Sequence, residues 1–161
     1  MDNDKKEIVS MDDLDKCILS LLGNDGRMSY RMISRELNVS VGTVHNRVEK
    51  LIESGLLKKF ALVLNLEKLG YELTVVVGVE LKSGLASDIL SISSYKENIL
   101  SAYDVTGEFD AMLICKFKNT NQLNQFIKEL LKEDNILKTY TQTVLNVHKE
   151  EINSPIDIIK N

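Results

Sequence analysis

Residues 40–57, SVGTVHNRVEKLIESGLL, decide how the chain reads. Ser40 is a hydroxyl residue suited to cap a helix, and Val41, Val44, Val48, Leu51 and Ile52 recur at helical spacing. Gly55 supplies a C-terminal stop, so Val41 to Ser54 reads as one short amphipathic helix. Subtracting the apolar stripe leaves a ridge of Gly42, Thr43, Asn46, Arg47 and Lys50, with His45 beside it. The major groove of DNA admits an α-helix. Its base edges are met by such groups: Arg toward guanine, Asn toward adenine, a Thr methyl toward thymine. Gly42 carries no side chain and lets backbone come close to a duplex. His45 reads as a solvent-exposed or phosphate-contacting residue.

Upstream, the spacing predicts two more helices. In SYRMISRELN, residues 29–38, Ser29 caps and Ile33 and Leu37 lie one turn apart. Residues 38–40, NVS, leave room only for a tight turn. In MDDLDKCILSLLGNDG, residues 11–26, Leu14, Cys17, Ile18, Leu21 and Leu22 share a face, Asp12 or Asp13 caps, and Gly23 to Gly26 ends the helix. Two short helices joined this tightly and braced by a first one make a helix-turn-helix unit. Downstream, LLKKFALVLN at 56–65 reads as a strand. Tyr30, Arg31, Lys58 and Lys59, with Arg27, flank the ridge as candidates for phosphate contact, which sets register without reading sequence. The candidate DNA-binding set is therefore Tyr30, Arg31, Ser40, Gly42, Thr43, His45, Asn46, Arg47, Lys50, Lys58 and Lys59.

Beyond residue 72 the pattern changes. LTVVVGVEL at 73–81 is a strand of β-branched residues, and Leu85, Ile89 and Ile92 mark a helix. ILSAYDVT and DAMLICKF are two strands with only GEF between them, a hairpin spacing. TNQLNQFIKELLKE carries Leu123, Phe126, Ile127, Leu130 and Leu131 on one helical face, with Thr120 as its cap, and LKTYTQTVLNVH at 137–148 alternates as a final strand. The order βαββαβ predicts a ferredoxin-like module, one antiparallel sheet with two helices on one face. The other face needs a cover, and a second copy of the same sheet supplies it in a symmetric dimer. The fold class is thus α+β, a winged helix-turn-helix followed by a ferredoxin-like domain. The expected boundaries are a tail at 1–11, the DNA-binding domain at 12–60, a linker at 61–72, the second domain at 73–149 and a tail at 150–161.

Charge supports the division. The formal net charge of -4 argues against a broadly basic DNA binder, but residues 12–60 hold eight basic and seven acidic side chains against ten and fourteen over 61–161. The polar start MDNDKKEIVS is unlike a signal peptide, and no run of eighteen apolar residues exists, so a cytoplasmic protein without a membrane partner is expected. Cys17 and Cys115 each sit in an apolar pattern and read as buried reduced thiols. No Ser/His/Asp set, phosphate loop or metal-ligand spacing appears, so neither an enzyme nor a bound cofactor or metal is expected.

The run from Leu14-Asp15 through Asp25 to Arg27, Ser40, Thr43-Val44, Arg47, Leu51 and Gly55, with VTGEFD at 105–110, resembles the Lrp/AsnC (feast/famine) transcriptional regulators over nearly the whole chain. Ile52 departs from the acidic residue often found there. The resemblance implies an N-terminal winged helix-turn-helix and a C-terminal RAM domain that dimerises, assembles further up to an octamer, and binds an amino-acid effector. It places the effector site near Tyr103, Gly107, Glu108, Phe109, Asp110, Thr141 and Thr143. Residue chemistry agrees in part: Gly107 permits an unusual backbone angle, and Asp110 suits an ammonium group, although a glycine in a hairpin and alternating threonines in a strand also need no ligand. Two alternatives remain at this point. One is an architectural protein that compacts DNA. The other is an enzyme like the siroheme decarboxylases, disfavoured by a C-terminal domain with no Arg and a single His, His148.

Overall fold

The computed structural model describes residues 9–92 and 96–150, apart from the side chains at 91 and 92. The parts of the two expected tails at 1–8 and 151–161, and the side chain of Ile92, lie outside the described residues. The chain divides into a unit ending at Leu62 and a second unit from Val63 to Glu150.

The first unit holds three helices, α1 (Asp13–Asn24), α2 (Tyr30–Glu36) and α3 (Val41–Glu53). Each start has a local chemical cause. At α1 the Asp12 carboxylate accepts the Asp15 N–H at 2.9 Å, while the Asp15 carboxylate accepts the Asp12 N–H at 3.2 Å, a reciprocal capping box. Ser29 Oγ accepts the Met32 N–H, and Ser40 Oγ accepts the Thr43 N–H at 3.0 Å. The turn from α2 to α3 passes through Asn38 at φ 53°, a left-handed conformation that asparagine tolerates better than most residues. Gly55 at φ 72° ends α3, its N–H bonded to the Ile52 carbonyl at 2.9 Å. Ile18, Leu22, Ile33, Val44 and Val48 form the core of this unit.

Three expectations about this unit change. Val41 and Ile52 are 45% and 40% exposed, so the inward stripe of α3 narrows to Val44, Val48 and Leu51. Cys17 is exposed, because it lies at the edge of the apolar face of α1 rather than within it. Residues 58–65 form no strand within the chain: a strand needs a neighbour for its N–H and C=O groups, none pairs here, and Phe60, Leu62, Val63 and Leu64 stand exposed.

The second unit carries β1 (Leu73–Leu81), α4 (Ala86–Ile92), β2 (Ile99–Asp104), β3 (Ala111–Phe117), α5 (Thr120–Leu130) and β4 (Ile136–Thr143). The strands form one antiparallel sheet in the order β2-β3-β1-β4. Alternation decides the faces. Val75, Val77, Val79 and Leu81 of β1, with Ala111, Leu113, Cys115 and Phe117 of β3, pack under Ala86 and Ile89 of α4 and Phe126 and Leu130 of α5. The rings of Phe117 and Phe126 lie 5.2 Å apart. Cys115 is fully buried, and desolvation pushes its thiol up to about 12, so it packs as a small apolar group.

Three details depart from the sequence pattern. Leu85 precedes α4 and is exposed, its N–H held by the Asp88 carboxylate at 2.9 Å. Asn119, not Thr120, caps α5, its side chain accepting the Gln122 N–H at 2.9 Å. β4 ends at Thr143 rather than reaching His148, because pairing with β1 runs out at the start of that strand.

Candidate nucleic-acid interface and effector region

Burial of Val44, Val48 and Leu51 turns one side of α3 inward and leaves Gly42, His45, Asn46 and Lys50 exposed. A Cβ built on Gly42 would meet only Ser40 Oγ, at 3.7 Å, so the fold itself has no steric need for glycine there. The Ser40 and Thr43 hydroxyls lie 2.8 Å apart and are engaged with each other at the cap. Tyr30, half-buried at the start of α2, packs its ring 5.9 Å from that of His45, tying the first turn of α2 to the exposed side of α3. Arg31, Lys58 and Lys59 are exposed. Arg27 is exposed as well, but its Nε lies 3.3 Å from the Asp25 carboxylate, whose pKa is lowered by the Arg27 N–H and then by the guanidinium.

Arg47 differs from its neighbours on the ridge. One guanidinium nitrogen donates to Asp12 Oδ2 at 2.5 Å and to Asp15 at 3.2 and 3.4 Å. Its side chain is one-third exposed, and that of Asp15 is 12% exposed. The bond to Asp12 raises the Arg47 pKa further above its usual range, and Asp12 is lowered by the Asp15 N–H and also by Arg47. The residue expected to face guanine is therefore engaged within its own domain. Its partners lie 32 and 35 positions away, and Asp12 and Asp15 are legible in the sequence only as a helix cap.

In the second unit the loop between β2 and β3 is closed by its own bonds. Val105 N–H reaches the Asp110 carbonyl, Asp110 N–H the Val79 carbonyl, and the Asp110 carboxylate accepts the Leu81 N–H at 2.7 Å. Asp110, read as an ammonium partner, thus staples the loop to β1. Gly107 has φ 120°, a backbone angle that favours glycine. Phe109 lies across Gly78, where a built Cβ would come within 2.9 Å of the ring, and its centroid is 5.0 Å from that of Tyr140. Lys138 Nζ sits 4.2 Å from the Tyr140 ring centre and bonds its hydroxyl. Gly78, Tyr140 and Met112 are register partners on the face away from the helices, as is Tyr103 opposite Met112. Thr141 and Thr143 pair with Val77 and Val75 and so stand on the opposite face, the one that bears the helices, where both are exposed on the edge strand β4. Within one chain, then, Tyr103 and Phe109 share a face, Glu108 is exposed in the loop beside them, and the two threonines are separated from them. Gly78, Lys138 and Tyr140 stand on the same face as Tyr103, an arrangement that the sequence signalled only through a glycine inside a β-branched run.

Among the described residues no group of three His, Cys, Asp or Glu side chains could hold a metal ion, and no helix is long and apolar enough to cross a membrane.

Residues 11–52 match the model of the AsnC-type helix-turn-helix domain, and residues 74–153 match that of the Lrp/AsnC ligand binding domain. An uncharacterised HTH-type transcriptional regulator of Pyrococcus abyssi is 45% identical over 88% of this chain and 96% of its own length. Among solved structures, AsnC of Escherichia coli superposes with a TM-score of 0.78 at 27% identity, over 91% of this chain and all of that one. A transcriptional regulator of Neisseria meningitidis, solved as its L-Met complex, gives 0.81 at 24% identity, over 92% and 98%. With its three capped helices, its β2-β3-β1-β4 sheet and these matches along both units, the chain belongs to the Lrp/AsnC family of transcriptional regulators.

Proposed function

We propose that the protein is a sequence-specific DNA-binding regulator that lays the exposed side of α3 into the major groove and answers to an amino acid or a related small molecule. The observation that carries this reading is the division of α3 into a buried line of Val44, Val48 and Leu51 and an exposed line of Gly42, Asn46 and Lys50. Asn46 offers both a donor and an acceptor to an adenine edge, Gly42 leaves the first turn open to close approach, and Lys50 supplies charge. Tyr30, Arg31, Ser40, His45, Lys58 and Lys59 serve the sugar-phosphate backbone.

The working species is a homodimer, assembling further up to an octamer, on a pseudo-palindromic site whose half-sites lie about 34 Å or a multiple apart. Its place is the cytoplasm, and it performs no catalysis. The match to the Lrp/AsnC ligand binding domain and the L-Met complex of the Neisseria relative support an amino-acid effector. Selection from random duplex DNA with the purified full chain tests the main claim. A regulator enriches one motif with two half-sites. Binding without enrichment describes an architectural protein and refutes sequence specificity. Thermal shift against the amino acids tests the effector, since a ligand that binds only the folded state raises stability as RT ln(1 + [L]/Kd).

A further inference from the structure

We infer that Arg47 is a positioning residue: it fixes the rotation of α3 by joining its guanidinium to the capping box of α1, and the groove-facing side chains are aimed by that contact. The inference rests on the DNA-binding reading above and assigns a role within it.

The geometry is overdetermined. Each carboxylate of the capping box already accepts a backbone N–H, Asp12 from Asp15 and Asp15 from Asp12, so neither swings freely. Their other lone pairs converge on one nitrogen of Arg47. Two carboxylates held this close repel, and the guanidinium between them removes that repulsion. Withdrawing Arg47 to reach a base would leave Asp15, 9% exposed as a residue, without its countercharge. Arginine is suited to this post because its planar fork keeps its charge at any working pH.

The apolar contact cannot fix rotation as tightly. Val44, Val48 and Leu51 span only about 60° of the circumference of α3; Val41 and Ile52, both on one flank of that stripe, are 45% and 40% exposed, and the next side chain on the other flank is Arg47 itself. A helix seated on so narrow a stripe is free to roll. With side-chain tips about 6 Å from the axis, a roll of roughly 20° moves them by about 2 Å. Hydrogen bonds to base edges tolerate only about 0.5 Å. A polar pin one position from Asn46 and three from Lys50 suppresses that motion where it matters.

The test uses full-length Asp12→Asn/Asp15→Asn, Arg47→Ala and the triple variant, with affinities measured for a selected site and for unrelated DNA. Asparagine caps a helix as well as aspartate does, so Asp12→Asn keeps the cap, and the amide oxygen of Asp15→Asn can still accept the Asp12 N–H; what both lose is charge. Removing negative charge from a DNA-binding domain by itself tightens binding to any duplex. Positioning predicts the reverse on the selected site: affinity falls by about tenfold, on the order expected for one misaligned base contact, while binding to unrelated DNA is kept or gained. Arg47→Ala added to the Asp variant then costs no more on the selected site, the mark of coupled residues. Asp variants that bind the selected site as well as the parent or better overturn the inference, as does loss of preference confined to one base pair in Arg47→Ala. If the double variant unfolds by circular dichroism, Arg47→Ala carries the comparison: preference lost across several base pairs of the selected site is the result expected, and loss confined to one base pair overturns the inference. A parent that binds no DNA refutes the DNA-binding reading and the inference together, and so differs from every result above.

Discussion

Replacing Gly78 by alanine places a methyl carbon 2.9 Å from the Phe109 ring, where ordinary carbon contacts fall near 3.5 to 4.0 Å. The ring must lift by about 0.6 to 1 Å or the centre of β1 must yield. β1 is hydrogen-bonded on both sides, to β3 and to β4, so the ring moves. Moving it opens the contact with Tyr140, at 5.0 Å between centroids, and strains a loop that Asp110 staples to β1. Overpacking of this kind costs about 1 to 3 kcal/mol, and the lost flexibility of glycine in the unfolded chain returns about 0.4 to 1 kcal/mol. The net expectation is a loss of about 1 kcal/mol, seen as a fall of about 4 to 8 °C in the Tm of the sheet unit. The control is Gly78→Ala in a Phe109→Ala background, where the methyl meets no ring and the cost vanishes or reverses. Differential scanning calorimetry of the four proteins decides. Equal Tm shifts with and without the Phe109 ring would show that the contact does not set the need for glycine.

Three further outcomes follow from other sites. Gly42→Ala should leave folding unchanged or firmer by up to about 1 kcal/mol, since its Cβ has room and alanine is the better helix former, while affinity for a selected operator falls; unchanged binding by fluorescence anisotropy would remove Gly42 from the interface. The Asp12 carboxyl is held below its usual 3.8, first by the Asp15 N–H and also by Arg47, so its contribution to stability is present above that value and is lost as pH falls through the lowered one. The parent should therefore exceed Asp12→Asn in urea midpoint at pH 6, with the gap closing as pH falls through the lowered value; a gap that persists in strong acid would contradict the assignment. Iodoacetamide at pH 8 should add one label to the native chain, at exposed Cys17, and a second, at Cys115, only in denaturant; two labels gained at equal rates by the native protein would mean that Cys115 is accessible.

What the sequence made legible was local chemistry. Ser29 and Ser40 cap helices as their positions imply, Gly55 ends α3, and the alternation of Val75, Val77 and Val79 gives the buried face of β1. These features depend on a few adjacent residues. The strand read at 56–65 is absent because strand formation depends on a neighbour rather than on the β-branched and aromatic residues alone. Val41 and Ile52 fit the helical period yet fall outside the core, since the width of a buried stripe is set by whatever packs against it. Arg47 is the instructive case. Its type and spacing suit a base edge, but its partners are brought in by the packing of α1 on α3, a contact no local pattern encodes. The effector set was more accessible than the resemblance suggested. Period-two alternation along β4 already puts Thr141 and Thr143 on one side and Tyr140 on the other.

Among the described residues the two units carry apolar clusters of unequal size, five buried side chains around Val44 and Val48 against thirteen around Val77 and Leu113. Heat should therefore take such a chain apart in stages, the small helical cluster giving way while the sheet still stands. A warmed sample would lose its grip on an operator before it loses its capacity to take up ligand, and recovery on cooling would begin from a half already in place.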